Sequence, residues 1–118
     1  MTTRGVAVPS PIKPQHRKEF DMTTLNTIIN GDCLDVLPSL PARSIDFVLT
    51  DPPYITRYKS RDGRTVPNDD NDAWLKPAFA EMYRVLANDS FCVTFYGWPM
   101  ADRFMQAYRT AGFASWGI

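Results

Sequence analysis

The tetrapeptide Asp51-Pro52-Pro53-Tyr54 gathers groups that could hold a flat molecule rich in hydrogen-bond donors. Asp51 offers a carboxylate acceptor. Pro52 and Pro53 fix two φ angles, remove two N–H donors and leave carbonyl acceptors, while Tyr54 adds a planar face for stacking. An exocyclic amine on a nucleobase fits that set. Histidine occurs once, at His16, in a polar and proline-rich stretch where a solvated side chain is expected. Histidine-based metal centres and Ser-His-Asp arrangements are therefore set aside, and the chemistry falls to carboxylates, backbone and aromatics. Cys33 and Cys92 lie far apart, without the close pairing of a zinc or redox site, and read as buried cytosolic thiols.

Residues that act together must be placed by regular elements. Leu25 to Ile29 reads as a short strand, after which Asn30-Gly31-Asp32 is turn chemistry with Asp32 able to cap a helix through about Leu37. Pro38 and Pro41 close that unit. Ser44 to Thr50 is a β-branched, mostly apolar run of the kind a fully buried parallel strand shows, and it ends directly at Asp51. Residues 55 to 71 are polar and without period, a long connection for a small domain and so a functional or disordered one. Asp72 is expected to cap a helix over Ala73 to Leu86, whose apolar face is Trp74, Leu75, Ala78, Phe79, Met82, Val85 and Leu86. Ser90 to Tyr96 reads as another buried strand. Pro99 opens a helix to Ala111, with Met100, Phe104, Ala107, Tyr108 and Ala111 on one face and Gly112 as its stop. Phe113 to Ile118 begins a further strand. Alternation of this kind implies the α/β class, a doubly wound, mostly parallel sheet flanked by helices.

The chain has 118 residues, with 13 basic and 13 acidic side chains and no formal net charge. That balance excludes a wholesale basic coat for nucleic acid, so any such contact must be local. Hydrophobic residues make up 44%, enough for a globular core. No apolar run approaches the ~20 residues of a membrane span, and no signal-like segment follows Arg4, so the reading is cytoplasmic. Residues 1 to 21 read as a flexible extension before a unit at 22 to 118, with Met22-Thr23-Thr24 repeating Met1-Thr2-Thr3 and Met22 a candidate native start. Asn68 to Asp72 reads as a turn entering a helix; no metal site is expected there.

Ile28-Ile29-Asn30-Gly31-Asp32-Cys33-Leu34, the strand into Asp51-Pro52-Pro53-Tyr54, and Arg84-Val85-Leu86 before the next strand together resemble the DNA methyltransferases that act on exocyclic amines. The likeness is to their permuted β group, in which the catalytic half comes first. It covers roughly residues 25 to 115. The resemblance implies methyl transfer from S-adenosylmethionine to adenine N6, favoured over cytosine N4, in double-stranded DNA whose target base is flipped out of the stack. Asp51, Pro52, Pro53 and Tyr54 would be catalytic: Asp51 and the Pro52 carbonyl accept the amine's N–H groups and Tyr54 stacks on the base. Asp32, Cys33 and Asp51 would meet the cofactor, with helix capping as the competing role of Asp32. Arg57, Lys59, Arg61 and Arg64 are candidates for DNA contact beside the base pocket, against the alternative of a solvated loop. Tyr96 or Trp98 could wall that pocket, and Phe91 and Phe95 are expected in the core.

The resemblance also fails at one place. The β group carries a Phe-x-Gly-x-Gly turn for the methionine part of the cofactor, and none of the six glycines here lies in one. The sequence reads as a truncated, N-terminal catalytic part that is inactive alone and needs a chain supplying the C-terminal cofactor half. A non-catalytic remnant or partner-binding fragment is the alternative. RNA and protein-glutamine N-methyltransferases use similar tetrapeptides, but their cofactor glycines precede it, and nothing before Asp51 is of that kind.

Overall fold

The computed structural model describes residues 26–115. Helix α1 (Cys33–Val36) continues into a 3-10 turn at Leu37–Ser39; strand β1 (Ile45–Thr50), helix α2 (Leu75–Val85) and strand β2 (Leu86–Thr94) come next. A second 3-10 turn, Trp98–Met100, leads into helix α3 (Ala101–Ala111). The arrangement is mixed α/β, with β1 and β2 as parallel neighbours in a two-stranded sheet. It is compatible with part of the doubly wound sheet expected from the sequence. The expected extension at 1–21 and residues 116–118 of the last expected strand lie outside the described residues. Residues 26–29 form no strand, and Ile28 is 98% exposed, because no described segment offers their backbone a ladder. Phe113 to Ser115 are likewise not in a strand.

Helix α2 forms where the apolar offsets put it, burying Leu75, Ala78, Phe79, Met82 and Val85. It starts later than Asp72 capping would imply. The Asp72 carboxylate instead accepts from Arg103 Nη1 at 3.0 Å, while its carbonyl accepts from Leu75 N. At the far end Leu86 is both the helix C-cap and the first residue of β2, so helix passes to strand with no loop. Arg84 secures this corner. It pairs with Glu81 and donates to the carbonyls of Leu40 and Leu37 at 3.0 and 2.8 Å, the second of which also accepts from Leu40 N, so the turn after α1 is tied to the end of α2. Helix α3 ends at Gly112 with φ of 111°, the left-handed conformation glycine adopts without strain.

The core lies between α2, α3 and the start of the long loop. Phe79 and Phe104 are fully buried edge to face at 6.3 Å, and Tyr108 meets Phe79 at 4.7 Å. Ile55, Leu75 and Ala107 complete the buried cluster. The two faces of the sheet differ. Val48, Thr50, Cys92 and Thr94 are half-buried, and Tyr108 of α3 reaches Cys92 Sγ at 3.9 Å. On the opposite face Phe47, Leu49, Phe91 and Val93, register partners at alternate positions, are 43 to 64% exposed. The strands are thus covered on one side only, which corrects the expectation of fully buried strands and of Phe91 and Phe95 as core residues. Apolar, β-branched composition records that a strand is built for burial; it does not say that a cover is present.

Candidate functional site

Parallel pairing sets where the tetrapeptide stands. The ladder runs to Thr50↔Thr94 and is extended by Phe95 N donating to the Thr50 carbonyl at 3.0 Å, so Asp51 is the first residue beyond the carboxyl end of β1. Ligands of open α/β sheets bind at that edge. The chain is pinned again four residues on, where Ile55 plugs the core at 5% exposure. It does so at φ of 61°, a left-handed conformation that costs a β-branched residue on the order of 1–3 kcal/mol and persists only when its surroundings enforce it. Asp51 to Tyr54 is therefore stretched between a strand end and an apolar anchor.

Within it, the Tyr54 hydroxyl donates to Asp51 Oδ1 at 2.7 Å. That bond fixes the ring relative to the carboxylate, leaves Oδ2 as an acceptor, and raises the Tyr54 phenol above its ordinary pKa. The four residues line an open cavity of about 420 Å³ whose other walls are Thr56, Tyr58, Val66 and Asp69. Gly97 backs this segment: a Cβ there would meet Tyr54 Cβ and Thr56 Cγ2, both at 3.1 Å. Neither Gly97 nor Asp69 stands out as a site residue in the sequence. Glycine directly after the Ser90 to Tyr96 run is the available signal for the first.

Asp69 is the sole buried polar residue among those described. Its carboxylate accepts from Tyr58 N at 2.6 Å, Thr56 N at 3.1 Å and Thr56 Oγ1 at 3.3 Å. The Tyr58 bond is the largest of the influences that hold it below the usual aspartate range. Arg57 N in turn donates to the Asp69 carbonyl. The sequence predicts a turn before the helix here; the structure makes it the clip that closes the loop. Beyond the clip, residues 59 and 65 form an antiparallel bridge. The DNA-contact candidates ride on this hairpin and its base. Arg57, Lys59, Arg61 and Arg64 are all exposed, and among the described residues Arg64 alone of the four is ion-paired, to Asp62 at 2.6 Å.

The expected cofactor side is built differently. Asp32 caps α1, accepting from Leu34 N at 2.9 Å, so its capping role is realised. Cys33 is exposed, not buried as expected, because it opens a four-residue helix with no buried residue. Partial desolvation, then the Asp32 charge, push its thiol up. Neither residue lines the cavity at Asp51. Cys92 is half-buried and its thiol is also pushed up by burial. Tyr96 packs on Phe104 at 5.8 Å and Trp98 is 77% exposed; neither lines that cavity. Tyr58 and Val66 take the place expected of them.

No family model matches the chain. Sequence comparison finds a protein of Escherichia coli (strain K12) named methylase YubD, 49% identical over 90 residues, which are 76% of this chain and 40% of that protein. The type II methyltransferase M.HinfI of Haemophilus influenzae is 35% identical over 68 residues, 58% of this chain and 18% of its own length. M.BglII of Bacillus subtilis, also a type II methyltransferase, is 35% identical over 80 residues, covering 67% and 19%. The chain thus spans about two fifths or less of each relative, and over that part it is similar to methyltransferases.

Proposed function

We propose that this chain carries the base-holding part of an S-adenosylmethionine-dependent DNA amino-methyltransferase of the permuted β group, acting on adenine N6 in preference to cytosine N4. The observation that carries the reading is the placement of Asp51-Pro52-Pro53-Tyr54 at the carboxyl end of a parallel strand, lining an open cavity of about 420 Å³. Cavities of this size suit one nucleobase. The amine of a flipped base offers two protons. With Oδ1 engaged by Tyr54, Asp51 receives one on Oδ2 and the Pro52 carbonyl receives the other. Two fixed acceptors favour a pyramidal nitrogen with its lone pair turned outward, and Tyr54 stacks on the ring, so positioning carries the rate. Arg57, Lys59 and Arg61, exposed beside the cavity, hold phosphates of the double-stranded DNA.

Asp32 and Cys33 present an exposed carboxylate and thiol that suit the adenosyl part of S-adenosylmethionine. When bound, that cofactor supplies an electrophilic methyl group. The methionine part finds no glycine-rich turn in this sequence, so the residues present make half a site. The bare face of Phe47, Leu49, Phe91, Val93 and Phe95 favours a second reading beside the first: a surface that a chain supplying the cofactor half covers.

Replacing the matching stretch of the Escherichia coli relative by this chain and tracing labelled methyl into duplex DNA tests the reading. Incorporation as N6-methyladenine, with Asp51→Ala reducing it about 10³-fold, is expected. A hybrid that unfolds cooperatively yet transfers nothing, or that ignores Asp51→Ala, would sink it.

A further inference from the structure

Thr56, Tyr58, Val66 and Asp69 of the cavity lining belong to the loop between β1 and α2, whose one ladder contact among the described residues is the bridge between residues 59 and 65, and something must hold the rest. Thr56 and Tyr58 alternate with two residues in the left-handed region, Ile55 and Arg57 with φ of 61° and 55°, and the returning strand of the loop has a third at Asn68, φ 62°. None is glycine. Left free, such a segment relaxes to negative φ and its side chains leave their places. Ile55 is held by the core, but it lies before the wall and cannot restrain the residues after it.

The restraint that reaches Thr56 and Tyr58 is Asp69. Its neighbours Asn68, Asp70, Asn71 and Asp72 are exposed, whereas Asp69 is turned inward at 3% exposure and takes three donors from across the loop. We propose that Asp69 is a positioning residue for the base pocket: its carboxylate holds Thr56 and Tyr58, and its backbone N–H the Val66 carbonyl, so that Tyr58 and Val66 stay in the lining of the cavity they share with Tyr54. This rests on the base-holding reading. The requirement is for a carboxylate and not merely for a polar group. Each oxygen accepts a different backbone N–H, Oδ1 that of Thr56 and Oδ2 that of Tyr58, so an amide at this position would aim its own N–H group at one of them, losing that bond and opposing the donor.

Asp69→Asn in the 118-residue chain, with adenosine as the probe, tests this. The amides of Thr56 and Tyr58 should exchange about tenfold faster in the variant while those of α2 and α3 keep their protection, the scale expected for a charge-assisted hydrogen bond. Adenosine should bind about tenfold more weakly. Tyr58→Ala should weaken adenosine to a similar degree and leave the Thr56 amide protected, separating a lost wall from a lost clip. Unchanged exchange at Thr56 and Tyr58 overturns the proposal whatever the ligand does. Loss of cooperative unfolding in Asp69→Asn also overturns it, since Asp69 would then be holding the core. Wild-type chain that shows the clip by exchange but no adenosine binding would defeat the base-holding reading and the positioning role with it, leaving only a loop tether.

Discussion

The two sides of the candidate site are built by different means. Around Asp51 the chain is pinned by a strand ladder, by the Ile55 plug, by the Tyr54 hydroxyl and by a buried carboxylate that ties residues 56 and 58 to residue 69. Around Asp32 one side-chain cap holds a four-residue helix that buries nothing. The tetrapeptide side carries its own support within these residues, whereas the α1 side borrows what order it has from Arg84 and offers surface still to be covered. A binding group held by packed neighbours is preorganised; one on an exposed short helix must be ordered when its ligand arrives.

Breaking the support of the first side should have the largest effect. Phe104 touches Trp74, Phe79 and Tyr96 and is fully buried, so Phe104→Ala should cost about 3–5 kcal/mol. Denaturant melts would show the midpoint falling and the Ile55 anchor failing with it; a shift below about 1 kcal/mol would mean the core does not support the loop.

Acid should separate the two sides more gently. Asp69 has its folded pKa lowered, chiefly by the Tyr58 amide, so its stabilising contribution is present above the ordinary carboxylate range and is lost as pH falls through the lowered value. Below about pH 4 the protection of the Thr56 and Tyr58 amides should decline before that of α3, whose buried Phe104 and Ala107 do not titrate. Simultaneous loss in loop and helix would erase the distinction between the clip and the core.

The smallest effect belongs to α1. Asp32→Ala removes the cap to Leu34 N, worth about 1 kcal/mol, and should fray α1 without moving the melting of α2 and α3. Cooperative destabilisation of the whole domain by this change would show that α1 is part of the same unit as the loop.

How much of this is legible in the sequence depends on how local the physics is. The α1 cap at Asp32, the end of β1 at Asp51, the buried face of α2 and the stop at Gly112 come from patterns within a few residues, and they stand where expected. The clip is not legible. Asn68 to Asp72 is a run of five small polar residues, and nothing in it distinguishes the one that turns inward from four that face water. The exposure of Phe91, Phe95 and Cys33 escapes the sequence for the converse reason: composition reports what a residue prefers, and coverage depends on what packs against it. Tyr96 packs against the core and does not line the cavity at Asp51 because neighbouring aromatics at a strand end point to opposite faces, and only the position of α3 settles which face meets Phe104.

By itself, then, the sequence determined the order of the elements from α1 to α3, though not the strands expected before and after them, and placed an acceptor-rich, donor-poor tetrapeptide after an apolar strand, because hydrophobic period, proline geometry and capping act over a few residues. Only the tertiary structure decided that Asp69, Tyr58 and Val66 share a cavity with Asp51, and that one face of the sheet is covered while the other is bare. Those are contacts between segments distant in the chain, set by which surfaces could be buried together once the helices had packed.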